Sequence, residues 1–129
     1  MKPMANDLGM CGIEQMFYAG TIKFDTTGAS SGVEIFKAPN KLMITRGVAV
    51  VKTAFNAGTT NVLTVGTNDD VDNIMGSSDI TEGTKGAYSK LAFVEVAKGG
   101  KVKAKFTETG TDATAGEADI YLFAVGIAE

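Results

Sequence analysis

The chain has 129 residues, 44% of them hydrophobic and 21% charged, and a net charge of −3. A chain of that length is expected to form one domain that buries about two-thirds of the surface its unfolded form exposes. The acidic balance and a single arginine, Arg46, leave no electrostatic footprint for nucleic acid. There is no histidine, which removes the commonest general base and transition-metal ligand.

Residues 1–16 follow neither a strand nor a helix period, and four methionines gather there: Met1, Met4, Met10 and Met16. Two readings stay open, a mobile terminus or an arm that orders against a neighbouring subunit. Met4, Leu8, Met10, Ile13 and Met16 would be the contacts of such an arm, because methionine fills irregular apolar surfaces well. The segment lacks a basic region followed by an apolar core, so no signal peptide is expected. Cys11 is the only cysteine. It cannot form an internal disulfide, which suits folding in a reducing cytosol, and no histidine is present to activate it.

From Phe17 the pattern becomes a series of short strands. Residues 17–25 alternate around Ile22 and Phe24, and residues 26–32 (TTGASSG) form a turn-rich loop. A short strand over 33–37 is closed by Ala38-Pro39-Asn40, since Pro39 cannot donate to a ladder. Residues 42–55 are long for one flat strand. Gly47 at their middle predicts a bulge or bend that lets the strand serve two sheets. After Asn56-Ala57-Gly58 comes a strand over 61–65, so that residues 42–67 read as a hairpin of the core.

Residues 69–75 predict the one helical turn, capped by Asn68 or Asp69 and stopped at Gly76. Residues 77–88 read as a polar loop. A strand over 90–97 places Leu91, Phe93 and Glu95 on one face. Gly99-Gly100 makes a turn, and residues 101–106 (KVKAKF) alternate with lysines out and apolar residues in. A threonine-rich turn over 110–116 leads to residues 120–127 (IYLFAVGI), an apolar run buried on both faces if central. The expectation is an all-β fold, an antiparallel β-sandwich or jelly roll of about eight strands with one helical turn. An N-terminal arm over 1–16 would precede a single domain over 17–129.

Three clusters are candidates for chemistry or binding. Asp69, Asp70 and Asp72 with Asp79 and Glu82 read as a helix cap and solvated loop, or as a weak cation site. A loop counted from Asp69 or Asp70 has no acidic residue at its twelfth position, unlike an EF-hand. The same acids with Glu82 are the place for hydrolase chemistry if there is any. No serine stands in a G-x-S-x-G elbow, and Gly83-Thr84-Lys85-Gly86 lacks the order of a phosphate loop. The stripe Lys101, Lys103, Lys105 reads as protection of a sheet edge, or as a basic face for an acidic partner. No catalytic residue, cofactor or metal is assigned, and no run of about 18 apolar residues suggests a membrane span.

The run 44–55 (ITRGVAVVKTAF), then Leu63-Thr64-Val65-Gly66-Thr67 with Asp70 and Asp72, carries a resemblance. The C-terminal pattern completes it: Val102-Lys103-Ala104 through Thr109-Gly110 to Ala115-Gly116-Glu117 and Ile120-Tyr121-Leu122. Over residues 19–127 the chain resembles small structural proteins of tailed-phage virions, capsid decoration (cement) proteins above all. The resemblance implies a non-enzymatic protein on the capsid surface, made in the host cytoplasm and oligomeric, as a trimer. It implies binding to the major capsid protein lattice, with no nucleic-acid or membrane partner and no catalytic residues. The alternative is a tail or fibre component, or a carbohydrate-binding sandwich. For the latter, Tyr18, Tyr88 and Tyr121 look scattered and there is no tryptophan.

Overall fold

The structure, a computed structural model, describes residues 13–67 and 70–128. In chain order the strands are β1 (Gln15–Lys23), β2 (Val33–Lys37), β3 (Leu42–Thr53), β4 (Thr60–Thr67), β5 (Asp70–Met75), β6 (Gly86–Val96), β7 (Lys101–Thr109) and β8 (Glu117–Gly126). They build two four-stranded antiparallel sheets, ordered β1-β8-β3-β6 and β2-β7-β4-β5. Only β4 and β5 are consecutive neighbours within one sheet. Every other connection crosses between sheets, which is the winding of an eight-stranded jelly roll. The expected all-β antiparallel sandwich is the observed fold.

The core lies between the sheets and follows the period of two. From β8 come Ala118, Ile120, Leu122 and Ala124; from β7 come Val102, Ala104 and Phe106. Leu42, Ile44, Ala49 and Val51 of β3 and Leu63 and Val65 of β4 complete the two walls. Each fully buried branched side chain of this kind contributes about 1.5–3 kcal/mol over an exposed position. Phe55 stacks on Phe106 with ring centroids 4.7 Å apart and closes one end.

Several local expectations are corrected. Residues 42–67 are not a hairpin, because β3 pairs with β6 and β8 while β4 lies in the other sheet. The segment between them is a crossover. Asn56 pins it, its Oδ1 accepting from the Thr114 and Ala115 amides at 2.8 and 3.0 Å. Likewise β3 serves one sheet only, and the irregularity it shows against both neighbours falls between Ile44 and Arg46, with a second against β8 between Val51 and Thr53. Gly47 is needed for space: a Cβ there would meet Ile74 and Met75 side chains at 2.8 and 2.9 Å.

The expected helical turn is strand β5 over Asp70–Met75. Six residues make too few helical hydrogen bonds to offset nucleation, whereas β4 offers a ladder, with Val65 opposite Met75 and Thr67 opposite Asp70. The Asn73 side chain accepts from the Thr67 amide at 3.1 Å and donates to its hydroxyl at 3.0 Å. The end of the expected 77–88 loop belongs to β6, which begins at Gly86. At the other terminus β1 begins at Gln15, so Gln15 and Met16 are strand rather than arm.

Candidate functional site

The outer face of the β1-β8-β3-β6 sheet is the most distinctive surface of the molecule. In a two-layer sandwich the outer residues of each strand are ordinarily polar. Here β8 turns Ala118, Ile120, Leu122 and Ala124 inward and leaves Tyr121, Phe123 and Val125 half-buried on the outside. This central strand is therefore not buried on both faces; its continuous apolar run serves two surfaces, the core and the outside. Met43, Val48 and Val50 of β3 lie in register beside Val125, Tyr121 and Asp119. On the edge strand β6, Leu91 and Phe93 point outward, 57% and 75% exposed. On the opposite edge, Met16 and Tyr18 of β1 are also exposed and lie against Phe123 and Tyr121.

One register row crosses all four strands: Met16, Phe123, Arg46 and Leu91. Arg46 thus sits in the middle of an apolar surface. It donates to the Ser89 hydroxyl at 3.1 Å, and none of the ion pairs among the described residues includes it. Tyrosine, phenylalanine, methionine and arginine together are the composition enriched at protein interfaces. The far end of the face is polar. Lys52 bridges Glu117 and Asp119 at 2.9 and 3.2 Å; these carboxylates, Glu117 first, raise the lysine above its ordinary value of 10.5. Tyr18 and Tyr121 meet edge to face at 5.6 Å, so two of the three tyrosines are neighbours. Tyr88 instead donates to the Thr84 carbonyl at 2.7 Å and belongs to the fold.

The lysine stripe does not protect an edge, because β7 runs between β2 and β4. The alternation itself is as expected, with Val102, Ala104 and Phe106 inward and the three lysines on the outer face. Lys101 pairs with Glu34 at 3.5 Å, the Lys103 stem passes over Gly32, and Lys105 acts on Asp72. Acids on β2 and β5 of the same sheet thus offset the charge of the stripe, and no strongly basic patch results.

Asn68 and Asp69 lie outside the described residues, and the rest of the acidic cluster separates into unrelated parts. Asp79 accepts from the Gly76 amide at 2.7 Å and pairs with Lys90 at 3.5 Å. Glu82, only 8% exposed, accepts from the Leu63 amide at 2.8 Å, while its own carbonyl accepts from the Phe55 amide at 2.9 Å. It lies about 13 Å along β4 from Thr67, the partner of Asp70, at the usual strand rise. Among the described residues no group of three or more acids or cysteines could hold a metal ion. Glu82→Ala strands a buried amide and is expected to cost about 1–3 kcal/mol in urea unfolding, with most of it restored in Glu82→Gln. A cost that Gln does not recover would assign it to something other than this bond.

Asp70 and Asp72 remain together on the surface. Asp72 binds its proton more tightly than the ordinary 3.8, first through a hydrogen bond to Asp70, then through the Asp70 charge, with Lys105 pulling the other way. The folded state therefore holds more proton than the unfolded one between 3.8 and the raised value, and stability falls as pH rises through that window. Asp72→Asn is expected to gain stability over the parent at neutral pH and to lose that advantage below pH 3.8. Equal differences at both pH values would break the assignment.

Of the residues expected to bind a partner, Ile13, two residues before β1, and Met16 of β1 are exposed, and the lysines lie on the opposite sheet. Met4, Leu8 and Met10 fall outside the described residues. Leu91, Phe93, Phe123, Tyr121 and Arg46 were not singled out by sequence reasoning for binding. The available signal was an apolar residue at every position of 120–125, more than one core face can absorb.

No protein-family model matches the sequence, and neither does any curated protein. Solved structures do match. One is a chain of the cyanophage Pam1 capsid asymmetric unit, with 14% identity over 92% of this chain and 89% of that one, at a TM-score of 0.67. Another is a chain of the acidic stable capsid of Helicobacter pylori bacteriophage KHP30, with 11% identity over 89% of this chain and 100% of that one, at a TM-score of 0.50. The chain thus has a jelly-roll fold that it shares with chains of two phage capsids.

Proposed function

We propose that this chain is a non-enzymatic structural protein of a phage virion. It decorates the capsid surface and stabilises it by binding the lattice of the major capsid protein, as a homo-oligomer, in the first instance a trimer. The observation that carries the reading is the outer face of the β1-β8-β3-β6 sheet, where Leu91, Phe93, Met16 and Tyr18 stand exposed around Arg46. A contiguous apolar face on a small stable domain marks an interaction surface. An exposed apolar edge strand such as β6 favours association. The likeness to phage-capsid chains supplies the setting. Many copies on a lattice gain avidity even when each contact is weak.

Cryo-electron microscopy of the assembled particle tests this. The expected density is a jelly roll outside the shell at a fixed position in each lattice unit, with this sheet face toward its neighbours. Density located in the tail, or a particle without this chain, would overturn the decoration role.

A further inference from the structure

Arg46 places a charge in the middle of the outer face, and nothing there answers it. The side chain is half-buried on β3 and stands in the row Met16, Phe123, Arg46, Leu91. A guanidinium carries five N–H donors in a fixed fork. One of them is used on the Ser89 hydroxyl, and no carboxylate pairs with Arg46 among the described residues. The face has carboxylates of its own, but each is already engaged. At one end Glu95 pairs with Lys41 at 3.2 Å. At the other, Glu117 and Asp119 hold Lys52, and Asp119 also accepts from the Thr21 hydroxyl at 2.6 Å. Glu14, just ahead of β1, accepts from the Thr45 hydroxyl. A second copy laid face to face about a two-fold axis near Arg46 brings the two guanidinium groups together, and like charges disfavour that contact.

We propose that the face docks on a protein partner that supplies a carboxylate to Arg46, flanked by apolar side chains that cover Leu91, Phe93 and Phe123. The free side of the guanidinium takes both carboxylate oxygens in parallel. Apolar contact over a flat sheet tolerates many positions, whereas a fork on a carboxylate fixes one. Arg46 is then the residue that sets register and specificity, and Leu91 and Phe93 supply the buried area. The inference rests on the docking role proposed above, with the shell protein as partner, and names the chemistry that partner presents.

The full chain and particles assembled without it provide the test, with bound protein recovered by sedimentation over a range of concentrations. Arg46→Met keeps the apolar stem on an outer face and removes the charge; urea unfolding verifies the fold. Particle binding should weaken at least about thirtyfold, because the partner's carboxylate is then buried without a counter-charge. Arg46→Gln removes the charge in a polar side chain and should show the same loss, so the result does not hang on one variant. Arg46→Lys keeps the charge but not the fork and should recover part of it. Docking by apolar contact alone gives the opposite order, with Arg46→Met binding as tightly as the parent or more tightly; that result overturns the proposal. Asp7→Asn should bind like the parent, and a loss equal to that of Arg46→Met would make the carboxylate the chain's own and overturn it as well. Self-association, followed by sedimentation velocity without particles, should be unchanged in Arg46→Met; a loss there with particle binding intact would place a second copy on the face instead. A parent that fails to bind particles overturns the decoration role itself. A parent and Arg46 variants that bind equally leave that role standing and remove only the carboxylate.

Discussion

Gly66→Ala is expected to lower folding stability by about 3 kcal/mol or more, at the upper end of overpacking effects. Gly66 lies on β4 opposite Lys103 of β7, and β5 passes directly over it. A Cβ at this position would stand 2.0 Å from the Asp70 carbonyl oxygen, 2.4 Å from the Val71 carbonyl carbon and 2.6 Å from the Asp72 amide nitrogen. All three are backbone atoms, so no rotamer change relieves the contact. Relief requires β5 to leave β4, which gives up the bonds of Asn73 to Thr67 and loosens Ile74 and Met75 from the core. Gly83→Ala is the control. Its nearest neighbour is the Phe55 carbonyl oxygen at 4.0 Å, and it should shift the urea midpoint little. The two variants are compared by urea unfolding followed in the far ultraviolet. Equal midpoints would mean that β5 does not cross β4 as described.

That close approach also shows where sequence reading stops. Strand positions were legible because the period-2 pattern and the turn residues between the runs are local. The lysine–apolar alternation of 101–106 and the breaks at Pro39 and Gly99-Gly100 each locate a strand without knowledge of its partner. Pairing is non-local. Residues 42–67 look like a hairpin because two β runs flank a short break, yet a jelly roll sends the second run to the other sheet. Asp70–Met75 looked helical because Asn and Asp beside a short apolar stretch mimic a cap. The ladder along β4 decides otherwise, and nothing within six residues reports it. Edge protection, one of the two readings of the lysine stripe, fails for the same reason: outward lysines occur on any exposed face, and only the sheet order places β7 inside. The docking face was half legible. Residues 120–125 are apolar at every position, and reading them as doubly buried required a second layer that a two-layer sandwich of 129 residues does not have.

Replacing Leu91 and Phe93 together by aspartate is expected to abolish incorporation into particles while leaving the fold intact. Both side chains are more than half exposed, at 57% and 75%, so their loss creates no cavity. Their neighbours Ala92 and Val96 keep β6 on the core. Exposed substitutions of this kind change stability by about 0.5 kcal/mol or less. Binding responds differently, because apolar anchors that become fully desolvated in an interface each contribute about 2 kcal/mol or more. Two such losses together weaken association by about a thousandfold at 1.4 kcal/mol per factor of ten. The added carboxylates lower affinity further, since each must give up water when the face docks. Particles assembled without this chain can be mixed with parent or variant protein and recovered by sedimentation, with bound protein counted against the shell. Lys103→Glu, on the outer face of the other sheet, is the matched control and should bind like the parent. If the aspartate pair binds normally and the Lys103 variant does not, the docking surface is the β2-β7-β4-β5 face instead. The stripe of half-buried lysines beside Glu34 and Asp72 would then take over the role that the Arg46-centred face holds here.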